Sequence, residues 1–351
     1  MNRFLQLHLL TSYGPANLNR DDSGRPKTAI MGGETRLRVS SQSLKRAWRT
    51  SEVFEEALAG HIGTRTKRAG VKVYERLVAG GVKDKDARKW AQEIAAVFGK
   101  LKKARADDAM NDLEIEQLAH FSPSEWQAVE SLADALIARG GGPEREDLEL
   151  LRKEHRGVDI ALFGRMLADS PAFNTEAAVQ VAHAIAVHRC VVDDDFFTAV
   201  DDLNDGSEDA GAGHMGATEF GAAVYYLYLC VDRQLLLEHL GGDRDLAGKA
   251  LQALLEAAAT VAPTGKQNSF ASRARASYVL AEKGDSQPRQ LSVAFLKPVQ
   301  GNDMLAAAIE ALESTRERMN KVYGDDLPAA RLDASKGEGS LAGLKQFACE
   351  D

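Results

Sequence analysis

The repeat of apolar residues changes twice along this chain, and the change limits the folds open to it. Residues 4–10 form a short apolar run, with Gln6 and His8 inside it, that reads as a first core strand. Residues 11–34 are loop-like: Gly14-Pro15, Asn17, Asn19, Asp21-Asp22-Ser23-Gly24, Pro26 and Gly32-Gly33. A connection of that length without structure is usually functional or disordered. A first helix is expected over residues 40–60. From about 70 to 156 the sequence is charge-rich with helical periodicity. Helices start at Asp84 and at Ser122-Pro123, and Gly140-Gly141-Gly142-Pro143 breaks one from the next. Beyond 157 the period becomes two. Val179, Val181, His183, Ile185 and Val187 alternate with small or polar residues, and residues 220–231 form a second strongly β segment. A helix is expected over 245–260 and a strand or strand-like loop over 262–270. Strands are expected over 277–281 and 290–295, a helix over 303–319, and a partly irregular tail after that. This order predicts an α+β protein in which a helical subdomain interrupts an elaborated split βαβ core.

The stretch Arg36-Leu37-Arg38-Val39-Ser40-Ser41-Gln42-Ser43-Leu44-Lys45-Arg46-Ala47-Trp48-Arg49 reads as a strand-to-helix junction. Residues 35–39 alternate, Ser40 or Ser41 suits an N-cap, and Leu44, Ala47 and Trp48 supply an apolar stripe. A helix N-terminus leaves backbone N–H groups unpaired and carries partial positive charge. Serine hydroxyls, the Gln42 amide and guanidinium groups at that end suit phosphates. A solvated basic helix with ordinary serine caps explains the same residues. Charge contrast favours an anion. Residues 25–49 hold Arg25, Lys27, Arg36, Arg38, Lys45, Arg46 and Arg49 against Glu34 alone, or +6, in a chain of net charge −8. A basic island in an acidic protein points to a polyanionic partner. Lys266, Arg273 and Arg275, with Phe270 between them, form a smaller basic-aromatic patch, suited to a single strand or to plain solvation. Lys100, Lys102, Lys103 and Arg105 are open to the same pair of readings.

Residues 193–209 carry eight acids (Asp193, Asp194, Asp195, Asp201, Asp202, Asp205, Glu208, Asp209) and no base, beside Phe196-Phe197. The segment suggests a protruding hairpin or loop, and three readings stand. A metal-dependent ribonuclease would hold divalent ions with Asp193-Asp194-Asp195 and recruit His183 or His188. Consecutive strand residues point to opposite faces, however, so the run alone makes no cage. A solvated acidic loop is the second reading. The third is self-association, in which the segment docks on the basic island of a neighbouring copy, a head-to-tail contact that can build a filament. His183, on an alternating apolar face, reads as a core histidine. Gly265-Lys266 lacks the glycine spacing of a phosphate loop, and Gln267 stands where Ser or Thr is needed. The scattered Cys190, Cys230 and Cys349 form no ligand spacing and fit a reducing cytoplasm. No run approaches transmembrane length, and residues 4–10 are too short and polar for a signal peptide.

Three strings together resemble the guide-binding backbone subunit of the type I-E CRISPR Cascade complex, the CasC family. They are Leu18-Asn19-Arg20-Asp21-Asp22, Ala29-Ile30-Met31-Gly32-Gly33 and Arg38-Val39-Ser40-Ser41-Gln42-Ser43-Leu44-Lys45-Arg46-Ala47. Gly157-Val158-Asp159-Ile160-Ala161-Leu162, Gly164-Arg165-Met166, Ala182-His183-Ala184-Ile185, Phe197-Thr198-Ala199-Val200-Asp201-Asp202-Leu203 and Gly216-Ala217-Thr218-Glu219-Phe220 extend the likeness in the family's order. The resemblance implies a modified RNA-recognition-motif (ferredoxin-like) palm with a helical finger insertion and a β-hairpin thumb. The palm would comprise residues 1–60 and 157–351, the finger 61–156 and the thumb about 190–220. It implies a non-catalytic cytoplasmic subunit without metal or cofactor. Copies would polymerise head to tail on one CRISPR RNA, beside other Cascade subunits, and present it to target DNA. Guide contacts carry over onto Arg20, Lys27, Ser40, Gln42, Lys45, Arg46 and Arg49, and onto Lys266, Gln267 and Lys297. Met166 and Phe197 resemble base-flipping wedges, Arg165 stands beside the first, and Phe196 occupies a position where a larger aromatic is common. The acidic segment then corresponds to the thumb.

Overall fold

The N-terminal apolar run lies at the heart of a sheet in the computed structural model, which describes residues 2–153, 156–199 and 214–350. The strands are β1 (Phe4–Ala16), β2 (Thr28–Met31), β3 (Glu34–Val39), β4 (Thr64–Thr66), β5 (Ala119–Phe121), β6 (Val179–Val181), β7 (Ala184–Ala186), β8 (Asp193–Ala199), β9 (His214–Asp232), β10 (Tyr278–Gly284) and β11 (Ala329–Asp333). The helices are α1 (Ser41–Arg49), α2 (Glu52–Ala57), α3 (Ala69–Ala79), α4 (Asp84–Ala96), α5 (Pro123–Arg139), α6 (Val158–Phe163), α7 (Arg233–His239), α8 (Arg244–Thr260), α9 (Gln267–Phe270), α10 (Met304–Tyr323) and α11 (Leu341–Cys349). The fold is α+β. One unit comprises residues 1–54, 181–230 and 251–351, the other residues 55–180 and 231–250.

In the first unit the sheet order is β11-β10-β1-β9-β7-β3-β2. β1 pairs antiparallel with β10, from Phe4 opposite Gly284 to Leu10 opposite Tyr278. Residues 5–10 are all buried because both faces of β1 are covered, so no polar alternation appears there. One face packs Leu10, Tyr226, Tyr228 and Leu280 against Ala308, Ile309 and Leu312 of α10. A charged network lies inside the same unit. Glu282, fully buried, meets His8 at 3.3 Å, Arg289 at 3.1 Å and Arg316 at 2.7 Å. Burial pushes the Glu282 carboxyl up, but these three partners outweigh it and hold it at about 2. Burial chiefly holds His8 below its ordinary value. β9 is long enough to serve two ends. Tyr225 and Tyr226 pair with β7 in the sheet, while its N-terminal part pairs with β8, from Asp193 opposite Phe220 to Ala199 opposite His214. Val200, Asp201, Asp202, Asp205, Glu208 and Asp209, the rest of the expected thumb tip, lie outside the described residues.

The second unit has its own core. Val71, Val73 and Leu77 of α3, Trp90 and Ile94 of α4, and Val129, Leu132 and Leu136 of α5 pack around Phe98 and Phe121. Ser122 caps α5 in a full capping box with Glu125, and left-handed Gly140 ends it, as the sequence signals. β4 and β5 add a small antiparallel ladder where no strand was expected.

Other expectations are corrected. The helix over 40–60 is two. Thr50 Oγ1 donates to the Arg46 carbonyl and Ser51 Oγ to that of Trp48, while Ser51 Oγ also accepts from Phe54 N–H and so starts α2. The 179–188 strand breaks at Ala182-His183 into β6 and β7. Residues 262–270 are a loop ending in α9, and 290–295 contain a 3-10 turn in place of a strand. The tail is ordered as β11 and α11. Residues 28–31, inside the expected loop, pair with β3 as β2.

Candidate nucleic-acid interface

The candidate interface lies in the first unit and begins with a loop folded by its own polar side chains. Asp21 Oδ1 accepts from Ser23 N–H, Ser23 Oγ–H and Arg25 N–H at 2.8–3.0 Å. The Ser23 hydroxyl chiefly holds the Asp21 carboxyl below its usual range. Asn17 Nδ2 donates to the Gly24 and Glu219 carbonyls, and Arg25 Nε meets Glu219 at 2.6 Å, so the loop is tied to the base of the β8–β9 hairpin. Its other side is tied to α1. The Asn19 carbonyl accepts from Lys27 N–H, the Lys27 carbonyl accepts from Arg38 N–H, and Asn19 Oδ1 accepts from Ser40 N–H at 2.9 Å. Asn19 therefore positions Lys27 and the α1 N-terminus together.

Ser40 is the N-cap of α1, its Oγ accepting from Ser43 N–H at 3.3 Å. No acid stands in the first turn to compensate the positive helix end. Leu44, Ala47 and Trp48 are buried and anchor the helix; Gln42 and Arg46 are exposed, and Lys45 and Arg49 half-buried. Arg20 is exposed and Lys27 half-buried. Among the described residues no carboxylate pairs with Arg20, Lys27, Lys45 or Arg46. A further segment closes the loop's flank. A Cβ on Gly265 would lie 2.2 Å from the Leu18 carbonyl, so only glycine permits that approach. Lys266 and Ala271, both non-glycine, adopt left-handed φ of 49° and 47° around α9, the strained backbone seen at functional loops. Lys266 Nζ lies 3.5 Å from Thr218 Oγ1, and the Phe270 ring packs near Phe220, with centroids 5.9 Å apart. Half-buried Gln267 opens α9.

A model of the CT1975-like protein family matches residues 5–350. The chain belongs to that family. No curated protein matches it. One similar solved chain, from a CRISPR RNA-guided surveillance complex, pre-nicking, is 30% identical with a TM-score of 0.85, over 98% of this chain and 99% of that one. Another, from a CRISPR RNA-guided surveillance complex, is 25% identical with a TM-score of 0.75 over the same shares.

Other expected contacts of this CT1975-like chain have surroundings of their own. Lys297 is exposed, and it follows Leu296, whose carbonyl lies against the Gly32 turn of the β2–β3 hairpin. Gly32 has φ +61°, and a Cβ there would lie 1.7 Å from that oxygen. Four residue pairs of hairpin, roughly 13 Å of strand, separate this turn from Lys27. Arg165, in the second unit, is buried: its guanidinium reaches Glu125 at 2.5 Å and the carbonyls of His120, Arg152 and Phe173. That fork is filled by protein, which differs from its expected role as an RNA contact. Met166 next to it is 75% exposed. On β8, Phe196 is 66% exposed, while the Phe197 ring lies over Gly216. Asp193 and Asp195 share one face of β8 and Asp194 the other. Among the described residues no three His, Cys, Asp or Glu side chains are grouped to hold a metal.

The basic island itself is smaller than its sequence count. Arg36 is 0% exposed, donating to the Ala186 and Phe295 carbonyls at 3.1 Å each, and burial lowers its pKa. Arg25 is paired with Glu219. Lys100, Lys102 and Arg105 of the second unit face Glu116, Glu114 and Asp107. Sequence reasoning missed Asn19, whose side chain orients the junction, and counted Arg38 only within the basic island, whereas its side chain points to His183 at 2.9 Å. His183 is exposed, not a core histidine, because it falls at the break between β6 and β7. An arginine on a strand of alternating burial was the signal for Arg38; nothing in the sequence marked the break.

Proposed function

We propose that this chain is a non-catalytic backbone subunit of a type I-E Cascade complex. Copies polymerise head to tail along one CRISPR RNA and, with other subunits, present it for pairing with target DNA. The observation that carries this reading is the cradle. Arg20 and Lys27 of the 17–27 loop and Lys45 and Arg46 of α1, none paired with a carboxylate among the described residues, accompany a helix N-terminus with no acid in its first turn, and the Lys266 segment packs on the same loop. Such a surface binds phosphates whatever the base, leaving sequence to guide–target pairing. The likeness to chains of CRISPR RNA-guided surveillance complexes, 30% and 25% identical, supports it. In this reading the sheet unit is the RNA-recognition-motif palm, residues 61–156 the finger, and the β8–β9 hairpin the thumb. Exposed Phe196 and Met215 suit a thumb that wedges between a neighbour's bases.

The test is purification of the full chain with whatever assembles on it. RNA of uniform length in a multi-subunit particle is expected. Lys45→Ala with Arg46→Ala should weaken RNA retention alike for every guide sequence; a sequence-dependent loss counts against the reading. Incubation with labelled RNA and magnesium should leave the RNA intact. Cleavage abolished by Asp193→Asn, Asp194→Asn and Asp195→Asn together would instead establish a metal-dependent ribonuclease.

A further inference from the structure

His183 is placed where no packing need explains it. It immediately precedes β7, whose Ala184 and Ile185 pair with Val39 and Arg38 of β3. Arg38 Nη1 lies 2.9 Å from His183 Nδ1. A guanidinium has only donors, so Nδ1 must accept, and the imidazole is neutral with its proton on Nε2. The groups that bear on this ring come from three elements: Arg38 on β3, Lys27 in the loop and Lys45 on α1, all cations. Among the described residues none of the three cations has a carboxylate partner. A neutral imidazole hydrogen-bonded to an arginine, with the charges of two lysines bearing on it, is suited to an anion.

We propose that Arg38 and His183 form a proton-linked phosphate site within the RNA cradle. This rests on the RNA-binding reading above. When a phosphate enters, Arg38 turns from Nδ1 to a phosphate oxygen, Nδ1 takes one proton from solvent, and the imidazolium joins Lys27 and Lys45 around the anion. Burial, and then Arg38, Lys27 and Lys45, hold the free ring below its ordinary pKa. A phosphate reverses the electrostatic part of that shift. RNA binding then takes up a proton. Affinity rises as pH falls from the bound to the free pKa and levels off below the free value, each unit of difference giving up to about tenfold.

The experiment uses the full chain freed of RNA and a fluorescein-labelled oligo(U), with affinity measured from pH 5.5 to 8.5 at fixed salt. The imidazole Cε1–H resonance lost in His183→Gln is followed by NMR with and without unlabelled oligo(U). The expected results are several-fold tighter binding at pH 6 than at pH 8, flattened in His183→Gln, and a resonance titrating at higher pH when RNA is bound. Arg38→Gln should raise the free ring's midpoint. RNA binding with a His183 midpoint unmoved by oligo(U) overturns the site while leaving the RNA reading intact. Absence of oligo(U) binding at every pH overturns both.

Discussion

At the scale of single residues, the chain uses arginine in two incompatible environments. Arg36 and Arg165 are buried and bonded to protein, whereas Arg20 and Arg46 face solvent with no acid partner among the described residues. Local sequence does not separate these cases, because burial is set by strands and helices far away in the chain. The motif around Ser40 was legible because caps are local, and the loop-to-helix tie through Asn19 was not. Glu282 offers the sharpest test of a buried charge. Glu282→Ala leaves Arg289 and Arg316 facing each other without their carboxylate and should cost about 3–5 kcal/mol, read by urea denaturation at pH 7. Its pH dependence follows from the sign of the shift. The folded carboxyl sits at about 2, below the ordinary 4.5, so its stabilisation is complete above pH 4.5 and is lost as pH falls toward 2. Glu282→Gln should therefore lose less stability than the unaltered chain over that window.

At the scale of elements, the sequence revealed long periodic segments and missed short or interrupted ones. α5, α8 and α10 stood close to their expected bounds because each carries several turns of apolar stripe. β6 and β7 read as one strand because alternation continues through Ala182-His183, although the backbone breaks there. The pairing of β2 with β3 was hidden under turn-forming glycines that lie just beyond it. Contact between loops is where function concentrates. Gly265→Ala puts a methyl against the Leu18 carbonyl and must part the Lys266 segment from the 17–27 loop. A loss of about 1–3 kcal/mol is expected, with weaker RNA binding even where the protein remains folded, measured by thermal melting and by anisotropy.

At the scale of the whole molecule, an acidic chain gathers Arg20, Lys27, Lys45 and Arg46, none paired with a carboxylate among the described residues, in one of its two units. Net charge −8 discourages indiscriminate RNA binding, and the cradle restores attraction at one place. The salt dependence should show it. The log–log slope of RNA affinity against salt should be about −0.7 per neutralised phosphate and should shrink by about 0.7 for each of Lys45→Ala and Arg46→Ala. An unchanged slope would remove those side chains from the phosphate path.

The position of β1 has a consequence for synthesis. β1 leaves the ribosome well before the strand that pairs with it, which ends at Gly284. At 5–20 residues per second, that partner emerges roughly a quarter of a minute to a minute later. Throughout that wait a nascent apolar strand stands with an open edge, the kind that recruits other chains. Translation halted before residue 278 would release such an edge into the cell. Nascent chains of this protein should therefore recruit chaperones until that partner strand has emerged.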